Sequence, residues 1–287
     1  MKDIDILSLL SDDRKFSKGQ KLISRFIINN YDKAAFMTAG RLADEVGISE
    51  STVVRFASEL GFKGYPEMRK AIQDMIRNRL TSVERIEVAK RMIDEREILK
   101  SVLSSDVENL HTTLNEIDQE KFDLVVNRIL SSENVYIVGM RTSTSLSSFL
   151  GSYLKLIRKN VFVVQDTMAS EVFEQLIRIG KNDLFIGISF PRYSKHTVDA
   201  MTFSKSRGAY TVAITDGKHS PCYDVADICL FAKSDMVSFL DSLVAPMSLI
   251  NALIVAVGSR SPDNSLETFK QLEHIWEEYD VYETYPR

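Results

Sequence analysis

Cysteine, proline and glycine are scarce in this chain of 287 residues, which has 2, 6 and 12 of them. The two cysteines, Cys222 and Cys229, form no CxxC pair and have no histidines at ligand spacing beside them. This argues against a zinc site or a disulfide framework and favours buried free thiols. Apolar residues make up 44% and charged residues 26%, so the chain can bury enough surface to fold, and its length fits two domains.

The sequence also lacks long hydrophobic runs, and its first residues do not resemble a secretory signal. The longest apolar stretch, LVAPMSLINALIVAVG, is interrupted by Ser248 and Asn251. It is shorter than the roughly 20 residues that cross a bilayer, so it predicts a buried helix and no membrane span. The N-terminus carries acids where a secretory signal has basic residues. These features predict a cytoplasmic protein.

Charge is distributed unevenly along the chain. Residues 14–79 hold 13 Lys and Arg against 7 Asp and Glu, while the rest of the chain holds 23 against 33. A basic module on an acidic body is typical of a domain that binds a polyanion such as DNA. A solvated helical face would give the same excess, so the charge alone leaves both interpretations open.

Two short helices are predicted in the basic module. The first begins at Thr38 and ends at Gly47, a residue suited to the left-handed conformation at a helix end. The second begins at Ser49 and ends at Gly61. Because only VGIS joins them, the pair is typical of a helix-turn-helix, whose second helix enters the major groove of DNA.

The second helix is amphipathic, with Val53, Val54, Ala57 and Leu60 predicted to pack inside. Arg55 is then the long cation on the outer face, able to bind a phosphate or a guanine edge. A plain helical bundle, with Ser49 as a cap and Arg55 as a solvated charge, is the alternative. The residues expected to contact DNA, including two that follow the helix where a wing or loop usually touches phosphates, are Arg41, Ser49, Glu50, Ser51, Thr52, Arg55, Lys63 and Tyr65.

The run LADEVGISESTVVRFASELGFKGYPEMRKAI, residues 42–72, resembles the N-terminal domain of RpiR/MurR-type transcriptional regulators. The likeness lies in an ordered set of small motifs, S-x-x-T-V-V-R-F followed by L-G-F-x-G-Y. The resemblance implies a regulator that binds double-stranded operator DNA. Since one short helix reads few base pairs, we expect an operator with dyad symmetry and a homodimer or tetramer.

Residues 80–124 contain no proline or glycine and many alternating charges, which is typical of exposed helices. Such a connector could relay position between domains or act as an inert spacer. The predicted organisation is a helix-turn-helix domain at 1–79, a helical connector at 80–124, a ligand-binding domain at 125–265, and a C-terminal helix and tail at 266–287.

Beyond residue 133 the hydrophobic period changes. The short apolar runs NVYIVG, VFVVQD, DLFIGIS, YTVAIT and ICLFA are separated mostly by helical stretches. This predicts an α/β fold, a three-layer αβα sandwich around a parallel sheet buried on both faces. Parallel sheets bind ligands at the carboxyl ends of their strands, where GMRTSTS, QDTMASE, SFPRYSKHT and TDGKHSP follow.

These four segments, within residues 125–260, resemble the sugar isomerase (SIS) domain, the usual partner of the RpiR-type helix-turn-helix. SIS domains commonly carry G-x-G-x-S after the first strand and S-x-S-G-x-T/S after the third, and hold a sugar phosphate there. Here Arg141 stands where the second glycine is usual, and Pro191 replaces a serine. The resemblance implies a small anionic ligand, a phosphorylated sugar or amino sugar, and we expect no cofactor or metal. Its expected contacts are Arg141, Thr142, Ser143, Ser189, Arg192, Tyr193, Ser194 and Thr197.

Three alternatives compete with ligand sensing. In a sugar-phosphate isomerase, Glu171 would be the base, although it equally fits a first-turn helix acid. His196 and His219 flank the segments without an Asp or Ser partner in a triad order. A pure interaction module would bind protein through its helices, and Arg141 and Arg192 could simply pair with local acids. A DNA-binding domain beside an altered phosphate loop favours a regulator that senses and does not catalyse.

Overall fold

The computed structural model describes residues 6–11, 16–35, 37–77, 83–86, 97–164, 169–236 and 240–282. The chain forms two compact units, Met1–Asp94 and Glu95–Arg287. The finer predicted division at residues 79, 124 and 265 stays a prediction.

The described part of the first unit is helical, and each helix buries one apolar stripe. The stripes share a core that contains Ile23, Ile27, Leu42, Val53 and Phe56, all fully buried. The helices are α1 (Ile6–Ser11), α2 (Lys18–Asn29), α3 (Tyr31–Ala34), α4 (Ala39–Val46), α5 (Glu50–Glu59) and α6 (Tyr65–Arg77).

The predicted inner face of α5 is right except at Val54, whose side chain is 40% exposed. Its place in the core is taken by Phe56, whose ring meets Phe16 edge-on with the centroids 5.2 Å apart. A helix brings residues three and four apart onto one face. Starting from Val53, that face therefore includes Phe56 and Ala57, and Val54 lies beside it.

The second unit is a five-stranded, all-parallel sheet between layers of helices, in the order β2-β1-β3-β4-β5. The predicted α/β fold class and its αβα layering are confirmed, and all five predicted strands are present. The elements are α7 (Ile98–Glu116), α8 (Gln119–Ser131), β1 (Val135–Gly139), α9 (Ser143–Ile157), β2 (Val161–Val164), α10 (Ala169–Gln175), β3 (Leu184–Ile188), α11 (Lys195–Ser206), β4 (Tyr210–Thr215), β5 (Ile228–Phe231), α12 (Val244–Arg260) and α13 (Pro262–Glu278).

Successive residues of a strand point to opposite faces, so the sheet separates two cores. From β1, Ile137 packs with α8, α9 and α12, whereas Val138 packs with α10 and α11. On β3, Ile186 packs in the first of these cores and Phe185 in the second. The continuous apolar runs of the sequence reflect this burial on both faces.

Strand β2 departs from the expectation of burial on both faces. Phe162 is 47% exposed, because β2 is an edge strand with β1 as its one neighbour in the sheet. Helix α9 nevertheless lies directly on it at Gly151. A Cβ on this glycine would be 2.0 Å from Cγ2 of Val163, so a larger residue there would clash with the sheet.

The apolar stretch at 243–258 forms helix α12, as predicted, with Ile250, Leu253 and Val257 buried. Among the described residues, no helix is both long enough and apolar enough to span a membrane. Cys222 and Cys229 are buried free thiols, and burial raises the pKa of Cys222 to about 11 and that of Cys229 to about 12. Both thiols are therefore protonated at neutral pH, and the prediction of buried thiols is confirmed.

Candidate functional site

Helices α4 and α5 meet at a tight turn. The Thr38 hydroxyl accepts a hydrogen bond from the backbone N–H of Arg41 (3.2 Å) and caps α4, which ends at Gly47 with φ +74°. The N–H of Ile48 then donates to the carbonyl of Ala43 (2.9 Å), closing the turn. Glycine adopts this left-handed conformation without a Cβ penalty, so the predicted helix end at Gly47 is confirmed in its geometry.

Two of the predicted DNA contacts lie against this turn. The Ser49 hydroxyl is hydrogen-bonded to the hydroxyls of Ser51 (3.0 Å) and Thr52 (2.7 Å) and caps no backbone group of α5. The Glu50 carboxylate lies 3.4 Å from where a Cβ on Gly40 would be, beside the first turn of α4. A helix N-terminus stabilises an anion there, so the Glu50 carboxylate is favourably placed beside α4.

The cations expected to meet DNA are on the surface. Arg41, Arg55 and Lys63 have exposed side chains, as does Ser51 in the first turn of α5. The Nε of Arg55 donates to the Ser51 carbonyl (3.3 Å), which holds the guanidinium along the N-terminal half of the helix. This is the part of a recognition helix that reaches base edges in helix-turn-helix complexes.

Tyr65 requires a correction. Its side chain is 3% exposed, and its hydroxyl donates to the carbonyl of Met37 (2.9 Å). Burial raises the pKa of Tyr65 to about 12, so the hydroxyl stays a protonated donor. The sequence shows a tyrosine just past the helix but not that α6 turns its ring inward. Tyr65 stabilises the core and is not available to a phosphate.

The strand order places a switch point between β1 and β3, because the chain leaves these two neighbours in opposite directions. The register pairs Gly139, the last residue of β1, with Ile188, the last residue of β3. The two switch-point loops, which carry Arg141 and Arg192, therefore begin side by side at the carboxyl edge. Open parallel sheets bind ligands at such a point.

The loop after β1 depends on glycine. A Cβ on Gly139 would lie 2.4 Å from the carbonyl oxygen of Ser143, so no other residue fits. The Thr144 hydroxyl donates to the Gly139 carbonyl (2.9 Å) and joins α9 to the strand end. Of the predicted ligand contacts in this loop, Arg141 and Thr142 are exposed and Ser143 is buried.

Arg141 and Arg192 share an unusual backbone conformation. Their φ angles are +58° and +64°, in the left-handed region that favours glycine. Both occupy positions where the SIS motifs quoted above have glycine. The conformation costs an L-residue about 1–2 kcal/mol. Backbone strain of this kind clusters at functional sites, where the surrounding structure holds the residue in place.

The loop after β3 is organised by buried hydroxyl groups. The Ser189 hydroxyl accepts from the N–H of Ser194 (3.2 Å), the N-cap residue of α11. Thr197 is fully buried, and its Oγ1 has no hydrogen-bond partner within the described residues. Pro191 is buried and supplies no N–H. Ser189 therefore shapes the loop, while the Thr197 hydroxyl keeps its hydrogen-bonding capacity.

A polar network joins this loop to the end of β4. Asp216 is 2% exposed, and its Oδ1 accepts from the hydroxyls of Tyr193 (2.7 Å) and Thr215 (3.3 Å). The Nε2 of His219 lies 3.0 Å from Asp216 Oδ2. His219 was expected to have no Asp or Ser partner in a triad order, and the acidic partner that it has here is shared with a tyrosine and a threonine. The D-x-x-H spacing was a visible signal, whereas the contact to Tyr193 depends on the fold.

The remaining candidate base and histidine lie on helices. Glu171 is in the first turn of α10, where the helix N-terminus stabilises its carboxylate, and the side chain of Ser170 lies outside the described residues. His196 is exposed on α11. Within the ranges that the structure describes, no group of His, Cys, Asp and Glu side chains could hold a metal ion.

The strain at Arg141 gives a first prediction. Arg141→Gly should raise the free energy of unfolding by about 0.5–1 kcal/mol, because relief of the left-handed conformation exceeds the entropy cost of glycine. Arg207→Gly is the matched control, since Arg207 is exposed with φ −85° and should lose about 0.5–1 kcal/mol. Urea unfolding of both variants measures the difference. Equal losses would show that Arg141 is not strained.

Known proteins resemble both units. The model of the rpiR-family helix-turn-helix domain matches residues 6–79, and that of the SIS domain matches residues 128–256. An HTH-type transcriptional regulator of Caldanaerobacter subterraneus subsp. tengcongensis is 21% identical over 263 residues, which cover 89% of this chain and 91% of that protein.

Two solved structures are similar to this chain. The sugar isomerase domain of an RpiR transcription factor from Sphaerobacter thermophilus has a TM-score of 0.59 at 29% identity, covering 62% of this chain and 99% of that one. The Vibrio vulnificus NanR protein, solved complexed with ManNAc-6P, has a TM-score of 0.59 at 21% identity, covering 96% and 99%. The second likeness shows the fold alone. Because the two domain models together match well over half of the chain, in this order, the chain belongs to the RpiR family of transcriptional regulators.

Proposed function

We propose that this regulator binds operator DNA through α5 and changes its affinity when the SIS domain binds a phosphorylated sugar or amino sugar. The observation that carries the proposal is the pairing, in one chain, of a helix-turn-helix with a parallel sheet whose switch-point loops hold two arginines in left-handed conformations. If the ligand favours one arrangement of the DNA-binding domains, its binding shifts operator affinity by that difference.

The DNA half of the proposal depends on the exposed side chains of the helix-turn-helix. Arg55 is its main base or phosphate contact, since its guanidinium lies along the first half of α5. Ser49 and Glu50 hold the turn, and Tyr65 is left out because it is buried. The remaining proposed contacts are Arg41, Ser51, Thr52 and Lys63.

The ligand half depends on the two switch-point loops. Guanidinium groups offer a planar fork of donors that matches phosphate oxygens, which suits Arg141 and Arg192 to this class of ligand. The ManNAc-6P in the NanR complex is an amino-sugar phosphate, which supports the same class here. The other proposed contacts are Thr142, Ser143, Ser189, Tyr193, Ser194 and Thr197.

We infer sensing without catalysis. The curated relative is a transcriptional regulator, and the carboxylate most buried beside these loops, Asp216, is already bonded to Tyr193 and His219. Isomerisation would need a free base beside the sugar, a role left to Glu171. Turnover of a sugar phosphate that disappears in Glu171→Gln would favour the isomerase alternative.

Dimer formation is part of the proposal, and α7 offers a surface for it. This helix has an exposed apolar stripe on one face, because its members are spaced by four and seven residues. The stripe consists of Leu99, Leu103, Val107 and Leu114, which are 74%, 56%, 52% and 71% exposed. Beside this stripe is an apolar cavity of about 510 Å³ between α7, α8 and α12. A second copy related by a two-fold axis would cover the stripe with its own.

The proposal is tested by selecting duplexes from a random pool with the full chain and measuring affinity by fluorescence anisotropy over a range of KCl concentrations. Arg55→Ala should weaken binding by about 1–3 kcal/mol and lower the salt slope by about one. Lys33→Ala, an exposed cation on α3, is the matched control and should change little. Arg192→Ala should keep the DNA affinity but abolish its response to ManNAc-6P and other sugar phosphates.

Two outcomes would contradict this function. Binding that is indifferent to Arg55→Ala and to salt would identify a protein interaction module, because contacts with phosphates release counterions. A DNA affinity that no sugar phosphate changes, in a protein that does bind DNA, would remove the sensing half alone.

A further inference from the structure

A second cavity, this one polar, lies at the amino edge of the sheet, opposite the switch-point loops. It has a volume of about 590 Å³. Its walls include Glu133, two residues before β1, and Asn160, directly before β2. Residues at the end of α9 and in α13 complete them. This size is within the range of small-molecule sites in proteins.

Arg158, in the wall of this cavity, has a buried donor atom without a partner. Its Nη2 donates to the carbonyl of Ser132, while its Nη1 is buried without a hydrogen-bond partner in the described structure. Burial also lowers the pKa of this guanidinium. Buried polar atoms are nearly always paired, and an unpaired cationic donor is costly. Nη1 of Arg158 is therefore a donor that a bound acceptor would satisfy.

The charges around the cavity favour an anion as that acceptor. Lys155 and Lys159 add two cations to Arg158. The two acids in the wall are hydrogen-bonded to amides: Glu133 accepts from Asn182 (3.0 Å), and Glu267 accepts from Gln271 (3.1 Å). The negative end of the α9 dipole would favour cations here in any case, but it supplies no acceptor for Nη1.

We propose that this cavity binds a phosphate group, free or on a small metabolite, with Nη1 of Arg158 donating to a phosphate oxygen. Lys155 and Lys159 neutralise the remaining charge, and the Asn160 amide contacts the rest of an organic ligand. This assignment holds whichever ligand binds at the carboxyl edge. Helix α9 extends from Ser143 beside the switch-point loop to this cavity, a distance of about 22 Å. A ligand bound in this cavity could therefore influence the proposed sensing site at the carboxyl edge, because one rigid helix, α9, connects the two.

The test uses the full chain carrying Arg192→Ala, which removes one of the two arginines of the proposed sensing site. Inorganic phosphate and glycerol 3-phosphate are titrated at constant ionic strength, and the unfolding midpoint is followed, because a ligand bound only to the folded state raises it. We expect a saturable rise that is lost in Arg158→Gln. A rise with glycerol 3-phosphate alone would support an organic phosphate as the ligand.

Arg158→Gln also removes the bond to Ser132, so a second variant protects the test from misfolding. Lys155→Gln combined with Lys159→Gln changes two exposed side chains and should weaken phosphate affinity at least tenfold without changing the midpoint in the absence of phosphate. Arg207→Gln, an exposed cation elsewhere in the unit, is the control. No saturable rise, or the same rise in the double-lysine variant and the control, would overturn the site.

Discussion

Gly139→Ala is expected to destabilise the C-terminal unit by about 3 kcal/mol, lowering its unfolding midpoint by about 6–12 °C. The new Cβ would lie 2.4 Å from the Ser143 carbonyl oxygen and 3.0 Å from Cβ of Ser147. The closest atom belongs to the backbone of α9, which cannot move without displacing the whole helix from the sheet. Thermal and urea unfolding of the full chain measure the change.

Gly180→Ala is the matched control for this prediction. Gly180 has no heavy atom within 4 Å of an added Cβ and no positive φ, so alanine should be neutral or stabilising by about 0.4–1 kcal/mol. A Gly139→Ala protein as stable as the Gly180→Ala protein would show that the β1–α9 loop is not packed as described. A destabilised protein that also loses sugar-phosphate binding would place the loop in the ligand site.

Asp216→Ala is expected to cost about 2–3 kcal/mol, since it removes the acceptor shared by Tyr193, Thr215 and His219 in a buried position. It should also abolish the response to sugar phosphates. Tyr193 follows Arg192 directly, so its bond to Asp216 fixes the loop on which that arginine lies. Unfolding and a sugar-phosphate titration on the same protein separate the two effects.

The control for this variant is Asp224→Ala, an exposed acid in the segment that follows β4, which should leave both measurements unchanged. If Asp216→Ala lowers stability and the ligand response persists at saturating concentration, Asp216 is structural only. If neither changes, the network makes no net contribution to the folded state.

The architecture was largely predictable because it depends on patterns that are local in sequence. Strands β1, β3 and β4 are buried on both faces and appear as unbroken apolar runs, and the turn at Gly47 depends on one residue. The misses have a common cause. The exposure of Phe162 follows from the strand order, and the burial of Tyr65 follows from the direction of α6. Neither the strand order nor the direction of a helix can be deduced from a short window of sequence.

The site was predictable as a set of loops but not as a set of contacts. The segments after β1 and β3 could be placed at one edge because parallel strands end together. Amino-acid composition does not determine the φ angle of an individual residue, so the left-handed conformation of Arg141 and Arg192 became visible only in the structure. The same holds for the unpaired Nη1 of Arg158, since its surroundings come from separate elements.

The left-handed conformation of Arg141 also limits how the sequence can drift. Every arginine codon becomes a glycine codon through one base change at its first position. At this position the replacement also relieves backbone strain, so it is both mutationally near and favourable to folding. A lineage under selection for folding alone would therefore tend to lose this arginine, and its persistence in a lineage would measure selection on the side chain.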